Sequence, residues 1–153
     1  CGASGGIGTY AIQIAKYFGA EVTGICSTTN LEMVKSLGAD KVIDYSKEDF
    51  SKRREQYDFI FDATPYKKGN RKRLKLQCEA ALTPNGKYIS VDDERPKMYL
   101  EDLIFLKELI EAGKIKPVID KVYQLEQIVE VHRYIEQGHK KGSVVLVTKS
   151  QQK

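Results

Sequence analysis

The sequence predicts an α/β chain built on a doubly wound parallel sheet, and three observations point there. Gly2-Ala3-Ser4-Gly5-Gly6-Ile7-Gly8 opens the chain with glycines spaced three apart, and an amphipathic helical pattern follows at once. Short β-branched and aromatic runs then alternate with helical patterns as far as about Ile115, the rhythm of βαβ units. The run Tyr57-Asp58-Phe59-Ile60-Phe61-Asp62-Ala63 is apolar enough for the buried middle of a parallel sheet.

Each element has its own signal. Ile7, Ala11, Ile14, Ala15 and Phe18 recur at helical spacing, and Gly19 is placed to end that helix. Glu21 to Cys26 reads as a short strand. A second helix is expected from Leu31 to Leu37, packed by Leu31, Val34 and Leu37 and stopped by Gly38. Lys41 to Tyr45 is the next strand, and the charged stretch from Glu48 to Gln56 predicts a solvated helix. After the apolar strand a basic helical stretch runs to Leu82, and Pro84-Asn85-Gly86 turns into a strand from Lys87 to Val91. Leu100 to Ala112 is the clearest helix, with Leu103, Leu106, Leu109 and Ile110 inward and Gly113 as its cap. Leu125 to Gln137 forms one more amphipathic helix, closed by Gly138, before a final strand from Ser143 to Thr148. From about Lys116 the rhythm changes, which suggests another layer.

Bulk composition excludes several classes. The 153 residues suit one domain with a sizeable core, and 41% hydrophobic with 30% charged residues is ordinary for a soluble globular protein. No apolar run approaches the ~20 residues that cross a bilayer, so no membrane partner is expected. Cys1, Cys26 and Cys78 have no paired spacing and read as reduced thiols of a cytoplasmic protein. A net charge of +4 does not argue for nucleic acid. Only Cys1 precedes the glycines where a feeding strand should be, so the chain reads as having its first strand truncated.

The glycine run carries the chemistry. Without Cβ atoms, a strand-to-helix turn lets backbone N–H groups and the positive end of the helix close on a phosphate. A helix and then a strand follow at βαβ distances, which favours a dinucleotide site over a plain turn. No Gly-Lys-Ser/Thr closes the loop, so it is not a P-loop. The cofactor is read about 20 residues further on, where an NAD site usually has Asp or Glu. Here Ser27-Thr28-Thr29-Asn30 stands there. Hydroxyls and amides donate to a 2′-phosphate that a carboxylate would repel, so NADP(H) is preferred over NAD(H). Ser27 or Thr28 can also cap the next helix. None of the nine tyrosines is followed four residues later by lysine, which argues against a short-chain dehydrogenase.

Other candidates have plainer readings. Lys67, Lys68, Arg71, Lys72, Arg73 and Lys75 are expected to be a solvated helix face rather than a nucleic-acid patch, with only Tyr66 as an aromatic neighbour. His132 and His139 lack Cys or acidic companions at ligand spacing, so no metal is expected. Cys26 and Cys78 read as packing, and Asp62 as a strand-end residue shaping a crevice.

Gly2 to Gly8, Ile25-Cys26-Ser27-Thr28, Ser36-Leu37-Gly38-Ala39-Asp40-Lys41-Val42-Ile43-Asp44-Tyr45 and Phe61-Asp62-Ala63 together resemble medium-chain dehydrogenases/reductases. The likeness is to the zinc-independent, quinone-reductase-like branch. It continues through Phe105 to Asp120 and ends with His132-Arg133-Tyr134 and Gly138 to Gly142. The resemblance implies a Rossmann-type cofactor domain over residues 1–120. Residues 121–153 would then be a C-terminal segment that packs on an absent N-terminal substrate domain. It implies NADPH-dependent hydride transfer to a small-molecule quinone, enone or other carbonyl, without zinc and with substrate groups supplied from outside this chain. Gly5, Gly6, Ile7 and Gly8 would line the pyrophosphate, Ser27, Thr28 and Tyr45 the adenosine 2′-phosphate, and Ala63 and Thr64 the nicotinamide end; no residue of this chain is assigned a catalytic role. A basic residue common in the family after the Ser-Thr pair is absent, with Lys35 and Lys41 as candidate substitutes. Exposed sheet edges would allow homo-oligomers. A non-catalytic nucleotide-binding or sensory module is the alternative.

Overall fold

The computed structural model describes residues 1–64, 71–93 and 97–148. Among the described residues six strands pair in parallel, two by two. β1 (Thr23–Cys26) pairs with β2 (Lys41–Asp44), β3 (Tyr57–Asp62) with β4 (Leu82–Ser90), and β5 (Ile119–Gln124) with β6 (Ser143–Val147). Residues 1–3 stitch the first two pairs together. The Ala3 N–H donates to Ile25 O at 3.0 Å, the Cys1 amino group to Phe61 O at 2.7 Å, and the Ala63 N–H back to Cys1 O at 3.2 Å. The spatial order is therefore β2, β1, residues 1–3, β3, β4. The chain leaves the middle toward one side and later returns to the other, which makes the carboxyl edge beside residues 1–3 a topological switch point.

Helices cover this frame. α1 (Gly6–Tyr17) follows the glycine loop, and α2 (Leu31–Ser36) follows a 3₁₀ turn at Thr28–Asn30. One core cluster joins Ala3, Ile12, Cys26, Val34 and Ala39, and the other joins Ile25, Ile43, Phe50, Ile60, Cys78 and Ala81. Ile43, Val34 and Cys78 are fully shielded from solvent. Cys26 and Cys78 are packing residues, as expected, and burial raises both thiol pKa values, that of Cys78 to about 11.

Several expectations need correction. The inner face of α1 is Gly8, Thr9, Ile12 and Gln13, while Ile7 and Phe18 are exposed. A long-range bond decides this: the Gln13 amide donates to Lys116 O at 3.0 Å and accepts from Lys116 N at 2.8 Å. Phe18 packs against the rings of Tyr17 and Phe105 instead. Residues 48–56 form no helix beyond a 3₁₀ turn at Phe50–Lys52. Asp49 caps that turn through the Ser51 N–H and hydroxyl, and Phe50 anchors it in the core. One apolar anchor among charges gives a helix no face to bury, and a short isolated helix does not propagate.

β3 is only partly the buried strand the sequence suggests, because Ile60 and Asp62 are buried while Asp58 and Phe59 are exposed. β4 starts at Leu82, before the Pro84-Asn85-Gly86 turn, which is absorbed in a register break between the Tyr57–Leu82 and Phe59–Lys87 pairs. α3 (Arg71–Ala80) shows Lys72, Arg73 and Lys75 to solvent; Tyr66, Lys67 and Lys68 lie outside the described residues. In α4 (Leu100–Glu111) Leu109 is buried and Leu106 half-buried, but Leu103 and Ile110 point to solvent. α5 (Ile128–Glu136) matches its expected position. β5 has no counterpart in the sequence reading: Ile119-Asp120-Lys121-Val122-Tyr123-Gln124 lacks an apolar run, and the strand is largely exposed.

Candidate functional site

The glycine loop lies at the switch point, and steric contacts explain two of its glycines. Gly2 has φ +69°, and a Cβ there would sit 2.8 Å from the Ala63 carbonyl group and 3.0 Å from Thr64 N. A Cβ on Gly8 would lie 2.1 Å from Gly2 O. Gly5 is different, because among the described residues its Cβ would meet only Gly2 O, at an ordinary 3.5 Å. The described residues leave the space over Gly5 open. Gly5 is also the N-cap of α1, with no side chain capping the helix and no acidic residue in its first turn. Uncapped N–H groups, the positive helix end and clear space over Gly5 fit a phosphate.

A second segment closes over this loop. The Gly142 N–H donates to Ser4 O at 2.9 Å, and a Cβ on Gly6 would lie 3.2 Å from Gly142 O and 3.3 Å from Lys140 Nζ. Asp120 holds the segment by accepting from the Lys141 N–H at 3.0 Å and from the Tyr134 hydroxyl at 2.5 Å. Sequence reasoning passed over Lys140. Its signal was a pair of lysines and a glycine just ahead of a strand.

At the end of β1, Ser27 is half-buried and Thr28 exposed. The buried Asn30 joins Ser27 to the loop: its Nδ2 donates to Ser27 Oγ at 3.1 Å and to Ser4 Oγ at 3.2 Å. Asn30 Oδ1 is a buried acceptor without a partner among the described residues, which suits a site built to receive a further donor. Thr28 donates to Asp44 Oδ2, and Asp44 Oδ1 accepts from the Ser46 N–H at 3.0 Å and the Ser46 hydroxyl at 2.5 Å. The Ser46 and Thr28 hydroxyls hold the Asp44 carboxyl below the usual carboxylate range. Asn30 belongs to the segment the sequence offered for the 2′-phosphate, but Asp44 did not stand out there as a site residue.

Tyr45 follows Asp44 and is 63% exposed, its N–H bonded to Cys26 O. Lys41 does not join this group. It starts β2, in register with Thr23 at the opposite end of the strands, and faces Glu21 at 3.2 Å and Glu55 at 3.7 Å. Lys47, which the sequence reading did not single out, lies 3.9 Å from Asp44 Oδ2 instead. Lys35 lies in the last turn of α2 and is exposed. Ala63 and Thr64 sit across the loop from this end, beside Gly2. Among the described residues no three His, Cys, Asp or Glu side chains gather as a metal site.

Comparison with known proteins fits this geometry. The zinc-binding dehydrogenase model matches residues 6–109, and a second model of that description matches residues 95–146. The chain belongs to the zinc-binding dehydrogenases, within the medium-chain dehydrogenases/reductases. Among curated relatives of this family it is 36% identical to a 2-methylene-furan-3-one reductase of Solanum lycopersicum, over 95% of this chain and 38% of that one. It is 34% identical to an NADPH-dependent alkenal/one oxidoreductase, chloroplastic, of Arabidopsis thaliana, over 94% of this chain and 38% of that protein. The quinone oxidoreductase of Coxiella burnetii shares the fold, with a TM-score of 0.75 and 24% identity, over 95% of this chain and half of that one. The chain thus spans well under two thirds of these family members, and its α/β architecture is that of the Rossmann-like cofactor-binding domain.

Proposed function

We propose that this chain is the cofactor-binding part of an NADPH-dependent oxidoreductase that reduces a small enone, quinone or other carbonyl compound. The observation that carries the reading is the phosphate-fitting glycine loop at the switch point, with a hydroxyl-lined strand end beside it. The names of the plant relatives, a furanone reductase and an NADPH-dependent alkenal/one oxidoreductase, support the substrate class.

In this reading the N–H groups of Gly6, Ile7 and Gly8 receive the pyrophosphate, and the helix end adds about 0.3–1 kcal/mol of attraction for the anion. Lys140 adds a full positive charge next to Gly6. Ser27, Thr28 and Tyr45 surround the adenosine end. Thr28 and Ser46 already donate three hydrogen bonds to the Asp44 carboxylate, which leaves it less able to accept the ribose hydroxyls that an NAD site offers a carboxylate. Its negative charge by itself opposes a 2′-phosphate. Lys47 screens its charge. Ala63 and Thr64 border the nicotinamide end. The bound nicotinamide would supply the hydride; the protein orients it and excludes water.

Substrate-binding and proton-donating groups belong, in this reading, to a further domain packed against residues 121–153. The reading includes catalysis without zinc, a cytoplasmic setting suited to the free thiols, and self-association through exposed apolar faces. Fluorescence titration of the full protein with NADPH and NADH tests it. NADPH should bind at least about tenfold tighter, a difference of ~1.4 kcal/mol. Equal affinity would overturn the NADP assignment, and loss of activity to a zinc chelator would overturn the zinc-free assignment.

A further inference from the structure

The carboxyl end of β3 holds a hydrogen-bond hub centred on Asp62. Asp62 is 2% exposed. Its Oδ1 accepts from the Thr64 N–H at 3.0 Å and from the Thr64 hydroxyl at 2.7 Å, closing an Asx turn. Its Oδ2 accepts from the Tyr88 hydroxyl, on β4, at 2.9 Å. The ring of Tyr88 packs on the cluster of Ile25, Ile43, Phe50, Ile60, Cys78 and Ala81, which ties the hub to the most shielded part of the core. Burial, and then the bond to Asp62, push the Tyr88 phenol up, so it remains a donor at any working pH.

The product of this hub is a fixed backbone. The Ala63–Thr64 peptide is pressed against the glycine loop, close enough that a Cβ on Gly2 would touch Ala63 at 2.8 Å. The Ala63 N–H is held by Cys1 O on the same side. That peptide stands at the carboxyl edge of the switch point, where open α/β sheets take their ligands. The adenosine end is built separately, on β1 and β2, through Ser27, Thr28, Asn30 and Asp44.

We propose that Asp62, anchored by Tyr88, is a positioning residue. It sets the Ala63–Thr64 backbone that receives the nicotinamide half of the dinucleotide, and it does so without touching the cofactor. The proposal rests on the dinucleotide reading above, and it requires a one-ended effect. Removing the hub weakens recognition of the whole dinucleotide and spares recognition of its adenosine end.

The test measures binding of NADPH and of 2′,5′-ADP, which lacks the nicotinamide half, to the full protein and to Asp62→Asn and Tyr88→Phe. Asp62→Asn should weaken NADPH binding about tenfold, on the scale of one hydrogen bond to a charged group, with 2′,5′-ADP changed less than about twofold. Tyr88→Phe keeps the packed ring and should show the same one-ended loss at about threefold, so the proposal stays testable if Asp62→Asn does not fold. Equal weakening of both ligands would reduce the hub to general stability, and unchanged NADPH binding in Tyr88→Phe would also overturn the proposal. If the unaltered protein binds neither ligand, the dinucleotide reading fails and takes this proposal with it. Normal binding of both by the unaltered protein and both variants removes the proposal alone.

Discussion

Asp44 and Asp62 end β2 and β3 with the same local device in two different settings. Each carboxylate accepts the N–H and the hydroxyl of the residue two places on, Ser46 or Thr64, through Oδ1, and one further hydroxyl through Oδ2. The further hydroxyl makes the difference. For Asp44 it comes from Thr28, an exposed residue, with Lys47 and the exposed Tyr45 alongside. For Asp62 it comes from Tyr88, whose ring is part of the core packing. One Asx turn therefore makes an end that solvent, salt and pH can adjust, and the other makes an end the core holds fixed. That division suits a site with selectivity at one end and geometry at the other.

Both ends hang from the glycine loop, so the largest effect should come from disturbing the loop. Ser4 reaches the first end through Asn30, and Gly2 touches the second at Ala63. In Gly8→Ala the new methyl would meet Gly2 O at 2.1 Å, a backbone atom that cannot swing aside. The expected cost is about 3 kcal/mol, at the upper end of overpacking penalties, with loss of NADPH binding. Urea denaturation checks the first and fluorescence titration the second. Stability unchanged to within experimental error would mean that the two ends are not tied through Gly8.

This connection was only partly legible in the sequence. The glycine spacing, the helix behind it and the strands at Cys26, Asp44 and Asp62 could be read because each depends on local chemistry: missing Cβ atoms, apolar periodicity, β-branched runs. The inner face of α1 could not, since Gln13 is turned inward by a backbone 103 positions away. Lys41 and Lys47 show the same limit. As letters they are equivalent cations near Tyr45, but β2 carries one to the far edge of the sheet and leaves the other beside Asp44. The matching roles of Asp44 and Asp62 depend on Thr28 and Tyr88, donors from other elements. Burial of Ile60 and Leu109 followed from the pattern, whereas exposure of Phe59, Leu103 and Ile110 depends on which faces the rest of the fold covers.

The next effect separates the two carboxylates. Asp62→Ala leaves the Tyr88 hydroxyl and the Thr64 N–H, both partly buried, without their acceptor, at about 2–3 kcal/mol. Asp44→Ala should cost clearly less, because Thr28 is exposed and its hydroxyl can turn to water. Thermal or chemical denaturation of the two variants side by side decides the order. A larger loss for Asp44→Ala would invert the comparison.

A smaller effect is expected from pH. The bonds from Ser46 and then Thr28 lower the Asp44 pKa in the folded protein. Its contribution is therefore present above the unfolded value, about 3.9, and is lost as pH falls through the lower folded value. The stability difference between the protein and Asp44→Asn should hold steady from pH 7 to about pH 5 and shrink below about pH 4. Denaturation curves at pH 7, 5, 4 and 3 measure it. A difference that grew on acidification would show that the folded protein favours a protonated Asp44.

The smallest effect on stability and the sharpest on selectivity should fall on Lys47. Its ammonium is 3.9 Å from Asp44 and 68% exposed, so the pair is worth at most about 0.5 kcal/mol to folding. Lys47→Ala should leave the denaturation midpoint nearly where it was. The charge has more to do once a 2′-phosphate approaches, because without Lys47 that phosphate meets the Asp44 carboxylate unscreened. NADPH affinity should then fall about threefold at low salt, and the gap between variant and parent should close near 1 M salt, where exposed charges are screened within about 3 Å. NADH lacks the phosphate and should bind both forms alike. If NADH lost as much as NADPH, Lys47 would be acting on the shape of the strand end, and the solvent-tuned character of the Asp44 end would have to be given up.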